Sequence, residues 1–315
     1  MRILLYLERS DTRGGIEVFA ERHADELRAG GDEVAIAHDI PGSFDGFDEI
    51  VVHKCGDLAA LGKFPPEKTV YYVHDHEPIC PRTYAYTPLG NNCTRAGGCA
   101  ACFFCAPLCR NWKVALKRLF SQRRRLAAMA KFKKLVVISN FMKSRLVANG
   151  LAADSIEVRP PRISGAVSGG KPDGGAIPDD IDILYVGQLI RGKGVHLLLE
   201  ALAKTRRRLD IVGAGNMEPK LRALAKDLGV ADRVRFDGFR TNPGEWMRRA
   251  ACVAVPSFWQ EPYGLVAAEA VALGKPVVAF AVGGLPEACG GKATLVPPGD
   301  VDALAAALDG GKENG

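Results

Sequence analysis

Short apolar runs rich in β-branched residues alternate along this chain with longer amphipathic stretches, and this alternation restricts the fold more than any other feature. Strands separated by helical patterns cannot return through tight turns, so they pair in parallel and helices cover the sheet. In the first half Ile3–Leu7, Glu33–Ala37, Glu49–His53, Thr69–His74 and Leu135–Ile138 predict strands, and the stretch from Asp154 to Pro160 completes that half. Between Pro160 and Pro178 stand four prolines and five glycines without a periodic apolar pattern, the composition of a connection between domains. Strand Ile181–Val186 opens the second half. The reading is α/β, with an N-terminal domain over 1–160, a linker over 161–180 and a C-terminal domain over 181–315. Each domain is large enough to bury its own core.

Within the second half, Glu261-Pro262-Tyr263-Gly264-Leu265-Val266-Ala267-Ala268-Glu269 sets two carboxylates eight residues apart across a glycine turn. The apolar run Cys252–Val255 ahead of it reads as a buried strand stopped by Pro256, and the residues after Gly264 read as a helix start. Glu261 then lies in a loop and Glu269 one to two turns into the helix. Gly264 lets backbone approach a ligand, and the first free N–H groups of the helix seat a phosphate. Each carboxylate can accept hydrogen bonds from a pair of vicinal hydroxyls, so the pattern suggests a nucleotide-linked polyol. Two solvated acids at a helix start would have the same spacing.

The pair has company. Gly14-Gly15-Ile16-Glu17 follows the first strand; Tyr185-Val186-Gly187-Gln188-Leu189-Ile190-Arg191-Gly192-Lys193-Gly194 lies mid-chain. Next come Ile211-Val212-Gly213-Ala214-Gly215 and Arg235-Phe236-Asp237-Gly238-Phe239, and the carboxylates are followed by Gly274–Ala279 and Gly283–Glu287. In this order the segments resemble the retaining, nucleotide-sugar-dependent glycosyltransferases of family four. The resemblance extends along most of the chain and implies the GT-B fold, two Rossmann-like parallel-sheet domains facing a cleft. It implies that Arg191 and Lys193 hold the donor diphosphate, that Glu269 binds the ribose hydroxyls and Glu261 those of the transferred sugar. Backbone amides of Gly264, Leu265 and Val266 would help with phosphate and sugar, and Gly15 and Gly187 are the loop glycines on the donor side. His74, at a strand's carboxyl end, matches a histidine beside the donor sugar, where positioning rather than nucleophilic attack is expected. The family continues into helices that cross back to the first domain, whereas this chain ends in the polar tail Asp309–Gly315, by nature or by truncation.

The implied reaction transfers a sugar from a UDP- or GDP-linked donor to a glycan or lipid-linked acceptor with retention, the departing phosphate oxygen receiving the acceptor's proton. Asp-x-Asp occurs at Asp180-Asp182 and Asp300-Asp302, entering a strand and starting a helix, so no catalytic metal is expected. A GT-B nucleotide-sugar epimerase is the alternative enzyme.

Two features exceed this pattern. From Pro78 to Ala153 there is no Asp or Glu, but 14 of the chain's 42 Lys and Arg. The stretch from Arg110 to Lys134 mixes ten cations with Trp112, Leu116, Leu119, Phe120, Leu126, Met129 and Phe132. It reads as a basic amphipathic helix that either docks on an anionic membrane or packs on the sheet with solvated cations outside. Cys80, Cys93, Cys99, Cys102, Cys105 and Cys109 fall within thirty residues, with C-x2-C spacings that suit zinc or an iron–sulfur cluster as well as free thiols. A metal there would be structural. The combination would also suit a metal-containing nucleic-acid-binding or redox module, but that leaves the ordered glycine and E-x7-E segments unexplained, so nucleic acid is not expected as a partner. No run of ~20 apolar residues and no apolar signal core after Met1-Arg2 is present, so the expected location is the cytoplasm, peripheral on the inner membrane face.

Overall fold

The computed structural model describes residues 1–9, 14–85, 87, 92–95, 97–108, 111–163, 177 and 180–310. The chain divides into two compact units, Met1–Pro161 and Arg162–Gly315.

The first unit contains β1 (Arg2–Leu7), α1 (Gly15–Ala29), β2 (Glu33–Ala37), β3 (Glu49–Lys54), α2 (Leu58–Leu61) and β4 (Thr69–Val73). There follow α3 (Ala100–Cys105), α4 (Trp112–Met129), β5 (Lys134–Val137), α5 (Asn140–Val147) and β6 (Ile156–Val158). Its six strands pair in parallel in the order β2-β1-β3-β4-β5-β6. Every residue of β4 is buried, as a central parallel strand covered on both faces requires, whereas the edge strand β2 buries none fully. Local signals set the helix starts. The Glu17 carboxylate accepts the N–H of Gly14 at 2.9 Å ahead of α1, and Ser139 Oγ accepts the Met142 N–H at 3.0 Å to cap α5.

The second unit contains β7 (Ile181–Val186), α6 (Val195–Leu202), β8 (Leu209–Val212), α7 (Glu218–Asp227), β9 (Val234–Gly238) and α8 (Pro243–Arg249). It continues through β10 (Ala250–Val255), α9 (Leu265–Ala272), β11 (Val277–Phe280), α10 (Leu285–Cys289), β12 (Thr294–Val296) and α11 (Val301–Asp309). These six strands are also parallel, in the order β12-β11-β10-β7-β8-β9. The residues of β8 and β11 are all buried, and Trp246 of α8 is the bulkiest wholly enclosed side chain. The two Asp-x-Asp pairs serve local structure: Asp182 pairs with Arg207 at 2.6 Å, Asp180 pairs with Arg208 at 3.2 Å, and Asp300 caps α11.

The strands expected in the first half form within two residues of their expected ends. The basic helix needs correction. It ends at Met129, because Lys134 already belongs to β5, and its inward stripe is Ala115, Leu119, Gln122, Arg125 and Met129. Trp112 and Phe120, two of the apolar residues of that stretch, are exposed, while Arg125 is buried. Its guanidinium donates to the carbonyls of Cys55, at 2.8 Å, and Gly56. A fixed fork of donors that closes two backbone acceptors is retained inside where an unpaired cation would not be.

Candidate active site

After β7 the chain turns through Gly187 into a single 3-10 turn, Arg191–Lys193, that precedes α6. Gly194 joins turn to helix with φ +73°, and a Cβ there would sit 1.9 Å from the Pro256 carbonyl oxygen. Only glycine permits this approach to the end of β10. Across the contact the Gly192 carbonyl accepts the N–H groups of Phe258 at 3.1 Å and Trp259 at 3.4 Å. The two loops are laced together by backbone, and the lacing sets Lys193 beside Glu261.

Glu261 is buried, and three groups converge on its Oε1: Lys193 Nζ at 2.5 Å, Ser257 Oγ at 2.7 Å and Trp259 Nε1 at 2.8 Å. Lys193 also lies over the Trp259 ring, 5.2 Å from its centre. Burial pushes the carboxyl upward, but the Lys193 charge and the three hydrogen bonds outweigh it and hold Glu261 below the usual carboxylate range. Among the described residues Oε2 accepts no hydrogen bond and stays available to a ligand hydroxyl. The Glu261 carbonyl takes the Gly284 N–H at 2.7 Å, which ties the loop to the start of α10. Gly264, with φ +115°, then turns the chain into α9; a Cβ would press on Leu285 at 2.4 Å. Leu265 and Val266 form the first turn of α9, half-buried, and Glu269 is buried in the second.

The structure therefore joins Lys193 to Glu261, puts Arg191 exposed in the same turn, and sets Gly264, Leu265, Val266 and Glu269 on the helix that follows. Gly187 closes β7, its N–H bound to the Val212 carbonyl at 3.0 Å. Sequence reasoning missed Ser257 and Trp259. Their signal was spacing: residues 257, 259 and 261 alternate, so in extended chain they face one side, and a buried indole N–H needs an acceptor.

Gly15 and His74 belong to the first unit. Gly15 is the exposed first residue of α1. His74 follows β4 directly and is buried with its ring stacked on His53, 25° between planes, and Phe19 edge-on at 4.9 Å. Its Nε2 lies 2.8 Å from His53 Nδ1, His53 Nε2 lies 3.0 Å from His23 Nδ1, and His23 Nε2 lies 3.3 Å from Tyr72 Oη. Burial lowers all three histidines, helped by the neighbouring rings at His53 and His74 and by the Arg159 charge at His23; His74 falls to about 3 and His23 to about 4. His53 and His23 are the other residues that the sequence reading passed over. His53 ends one predicted strand as His74 ends the next, so parallel pairing of Val52 with Tyr71 brings their rings together. Burial and then Glu77 raise Asp75, beside His74, to about 6.

The cysteines are only partly assembled. Cys99 and Cys102 face each other at the start of α3, sulfurs 3.7 Å apart; Arg82 Nη1 contacts Cys105 Sγ at 3.5 Å. Burial and the adjacent Cys99 push Cys102 up to about 11. Among the described residues no three Cys, His, Asp or Glu come together as a metal site, and Cys109 lies outside those residues. Cys55, Cys252 and Cys289 are buried free thiols.

Residues 180–310, the stretch that carries the Lys193–Glu261 pair, match the family described as glycosyl transferases group 1. Within the second unit, residues 180–310 thus carry the sequence pattern of a group 1 glycosyltransferase domain. D-inositol 3-phosphate glycosyltransferase of Mycobacterium marinum is 42% identical to this chain over 146 residues, which are 43% of the chain and 31% of that protein. The chain thus spans about a third of the length of the curated relatives it matches. In architecture it is similar to HepE of Anabaena in complex with UDP-glucose, with a TM-score of 0.70 at 20% identity, covering 100% of this chain and 90% of that one. It is also similar to WaaG, a glycosyltransferase involved in lipopolysaccharide biosynthesis, at TM-score 0.61 and 21% identity over 98% of this chain and 90% of that one. The fold of this group 1 domain and its companion unit is GT-B. No helix among the described residues is long and apolar enough to cross a membrane.

Proposed function

We propose that the chain is a retaining glycosyltransferase that takes a UDP- or GDP-linked sugar and passes the sugar to a glycan or lipid-linked acceptor. The observation that carries this reading is Glu261, with Oε1 saturated by Lys193, Ser257 and Trp259 and Oε2 left open, four residues ahead of the first residue of α9. A carboxylate locked in this way accepts sugar hydroxyls without rearranging, while Glu269, deeper in the helix, takes the ribose. The complex of HepE with UDP-glucose supports the donor class. As the bond to the anomeric carbon breaks, charge grows on the diphosphate. Lys193 has three donors and spends one on Glu261, so the others, with Arg191 and the first amides of α9, meet that charge. The acceptor oxygen attacks from the face the diphosphate leaves, and a departing phosphate oxygen takes its proton. Melting shifts over a panel of nucleotide sugars, followed by transfer assays, test the reading. A donor at about 100 times its Kd stabilises by about 2.7 kcal/mol and raises Tm by roughly 5–10 °C. The absence of any shift and any transfer across the panel would sink it.

The acceptor class is supported by a surface. Phe103, Phe104, Leu108, Trp112, Val114 and Phe120 are all exposed along α3, α4 and the turn between them, Phe104 at 78%. The rings of Phe103 and Phe120 meet edge-on at 5.9 Å. Lys113, Lys117, Arg123 and Arg124 stand exposed among them. Aromatic side chains flanked by cations suit an anionic membrane surface, where a lipid-linked acceptor would be presented. Co-sedimentation with anionic vesicles at low salt is expected to fall about 30-fold in Lys117→Gln/Arg124→Gln, at ~1 kcal/mol per cation, and to weaken in Phe104→Ser/Phe120→Ser. Arg125 is left intact because it holds Cys55 and Gly56. Wild-type protein that ignores anionic vesicles at low salt would return α4 to the role of a packed helix.

A further inference from the structure

The buried chain of rings in the first unit has a direction. Arg159 Nη1 donates to Tyr72 Oη at 2.8 Å and is itself paired with Glu157 at 2.7 Å, which also pairs with Lys134 at 2.6 Å. A guanidinium has no acceptor, so Tyr72 Oη receives that hydrogen bond and keeps its own hydrogen to give. Its other partner among the described residues is His23 Nε2 at 3.3 Å, which must therefore accept. A neutral imidazole carries one hydrogen, so His23 holds it on Nδ1 and donates to His53 Nε2 at 3.0 Å. His53 is then protonated on Nδ1 and donates to His74 Nε2 at 2.8 Å. Stacking keeps the chain in line: His53 lies 4.7 Å from the Tyr72 ring and 5.1 Å from His74, and Phe19 lies within 6.2 Å of His23, His53, Tyr72 and His74 alike.

We propose that Arg159, Tyr72, His23 and His53 form a one-way hydrogen-bond relay that locks His74 as the Nδ1–H tautomer, so that His74 offers a sugar ligand a hydrogen-bond donor and not a base. The four are positioning residues; only His74 is taken to touch the ligand, which rests on the function proposed above. The relay starts at a half-exposed ion pair directly after edge strand β6 and ends directly after β4, two strands away at the same carboxyl end of the sheet, so a charge at the sheet's edge selects the chemistry at His74. A hydroxyl that must donate at that point is disfavoured, and one that accepts is preferred.

Nitrogen-15 NMR of histidine-labelled full-length protein tests this directly, because the two ring nitrogens report which one bears hydrogen. The expected spectrum has Nδ1–H at His23, His53 and His74. Tyr72→Phe retains the ring but deletes the oxygen, and Arg159→Met frees Tyr72 to accept. Each is expected to convert His74 to a mixture of tautomers, and Arg159→Met, at a half-exposed position, covers the case in which Tyr72→Phe does not fold. In kinetics, kcat/KM for the sugar donor is expected to drop ~10-fold in either variant while the Kd of the free nucleoside diphosphate stays within about twofold. Wild-type His74 protonated on Nε2, or a His74 tautomer unchanged in both variants, overturns the relay. An absence of transfer by wild-type protein with the tautomers as expected would overturn the reading of function and leave the relay standing.

Discussion

Glu261→Gln is expected to lower kcat/KM for sugar transfer by ~10²–10³ while leaving free nucleoside diphosphate affinity almost unchanged. The substitution retains shape but removes the charge on which Lys193, Ser257 and Trp259 converge, so Lys193 loses its counter-ion and the sugar loses a carboxylate. Glu269→Gln is expected to behave in the opposite way, weakening the nucleotide itself. Lys193→Ala should cost transfer as much as Glu261→Gln, and the double variant little more, because the pair acts as a unit with a coupling of about 2.7–4 kcal/mol. Initial rates with calorimetric Kd values for the free nucleotide separate these outcomes. Wild-type turnover in Glu261→Gln would remove the residue from the site. Acid should mimic the substitution. Since the folded pKa of Glu261 lies below its ordinary 4.5, the contribution of the pair is complete above that value and disappears as pH falls through the folded pKa.

Gly194→Ala is expected to lower Tm by roughly 5–15 °C and abolish most donor binding. A left-handed alanine costs ~1–2 kcal/mol, and overpacking adds about 1–3 kcal/mol; in a unit of this size each kcal/mol moves Tm by about 2–4 °C. Overpacking applies because the new methyl would meet the Pro256 carbonyl oxygen at 1.9 Å and its carbon at 2.8 Å, backbone that cannot swing aside. Relief requires the Arg191–Lys193 turn to part from the end of β10, which breaks the Gly192 hydrogen bonds to Phe258 and Trp259 and draws Lys193 off Glu261. Gly274→Ala is the control. Its φ of +69° is equally left-handed, but nothing lies within 4 Å of the new Cβ, so only the conformational cost of about 1–2 kcal/mol remains and transfer survives. Calorimetry and donor titration of both variants decide the matter; equal melting temperatures would mean that the lacing of the loops contributes nothing.

The sequence alone determined the alternating parallel architecture of both units, since apolar runs buried on two faces and separated by helical patterns have few other ways to pair. It also determined the glycine turn ahead of α9, because Gly264 stands where the chain must adopt φ +115°. Periodicity could not determine what contacts at long range decide. Arg125 reads as one more cation of a basic helix, and its burial follows only from two carbonyls some seventy residues away. Ser257 and Trp259 acquire a role because a loop sixty-eight residues earlier brings Lys193 to the same carboxylate. His23, His53 and Tyr72 join His74 because α1, β3 and β4 are neighbours in the fold and not in the chain. Local patterns carry period and turn chemistry, whereas hydrogen-bond partners and desolvation depend on which distant segments the packed sheets bring within 3 Å.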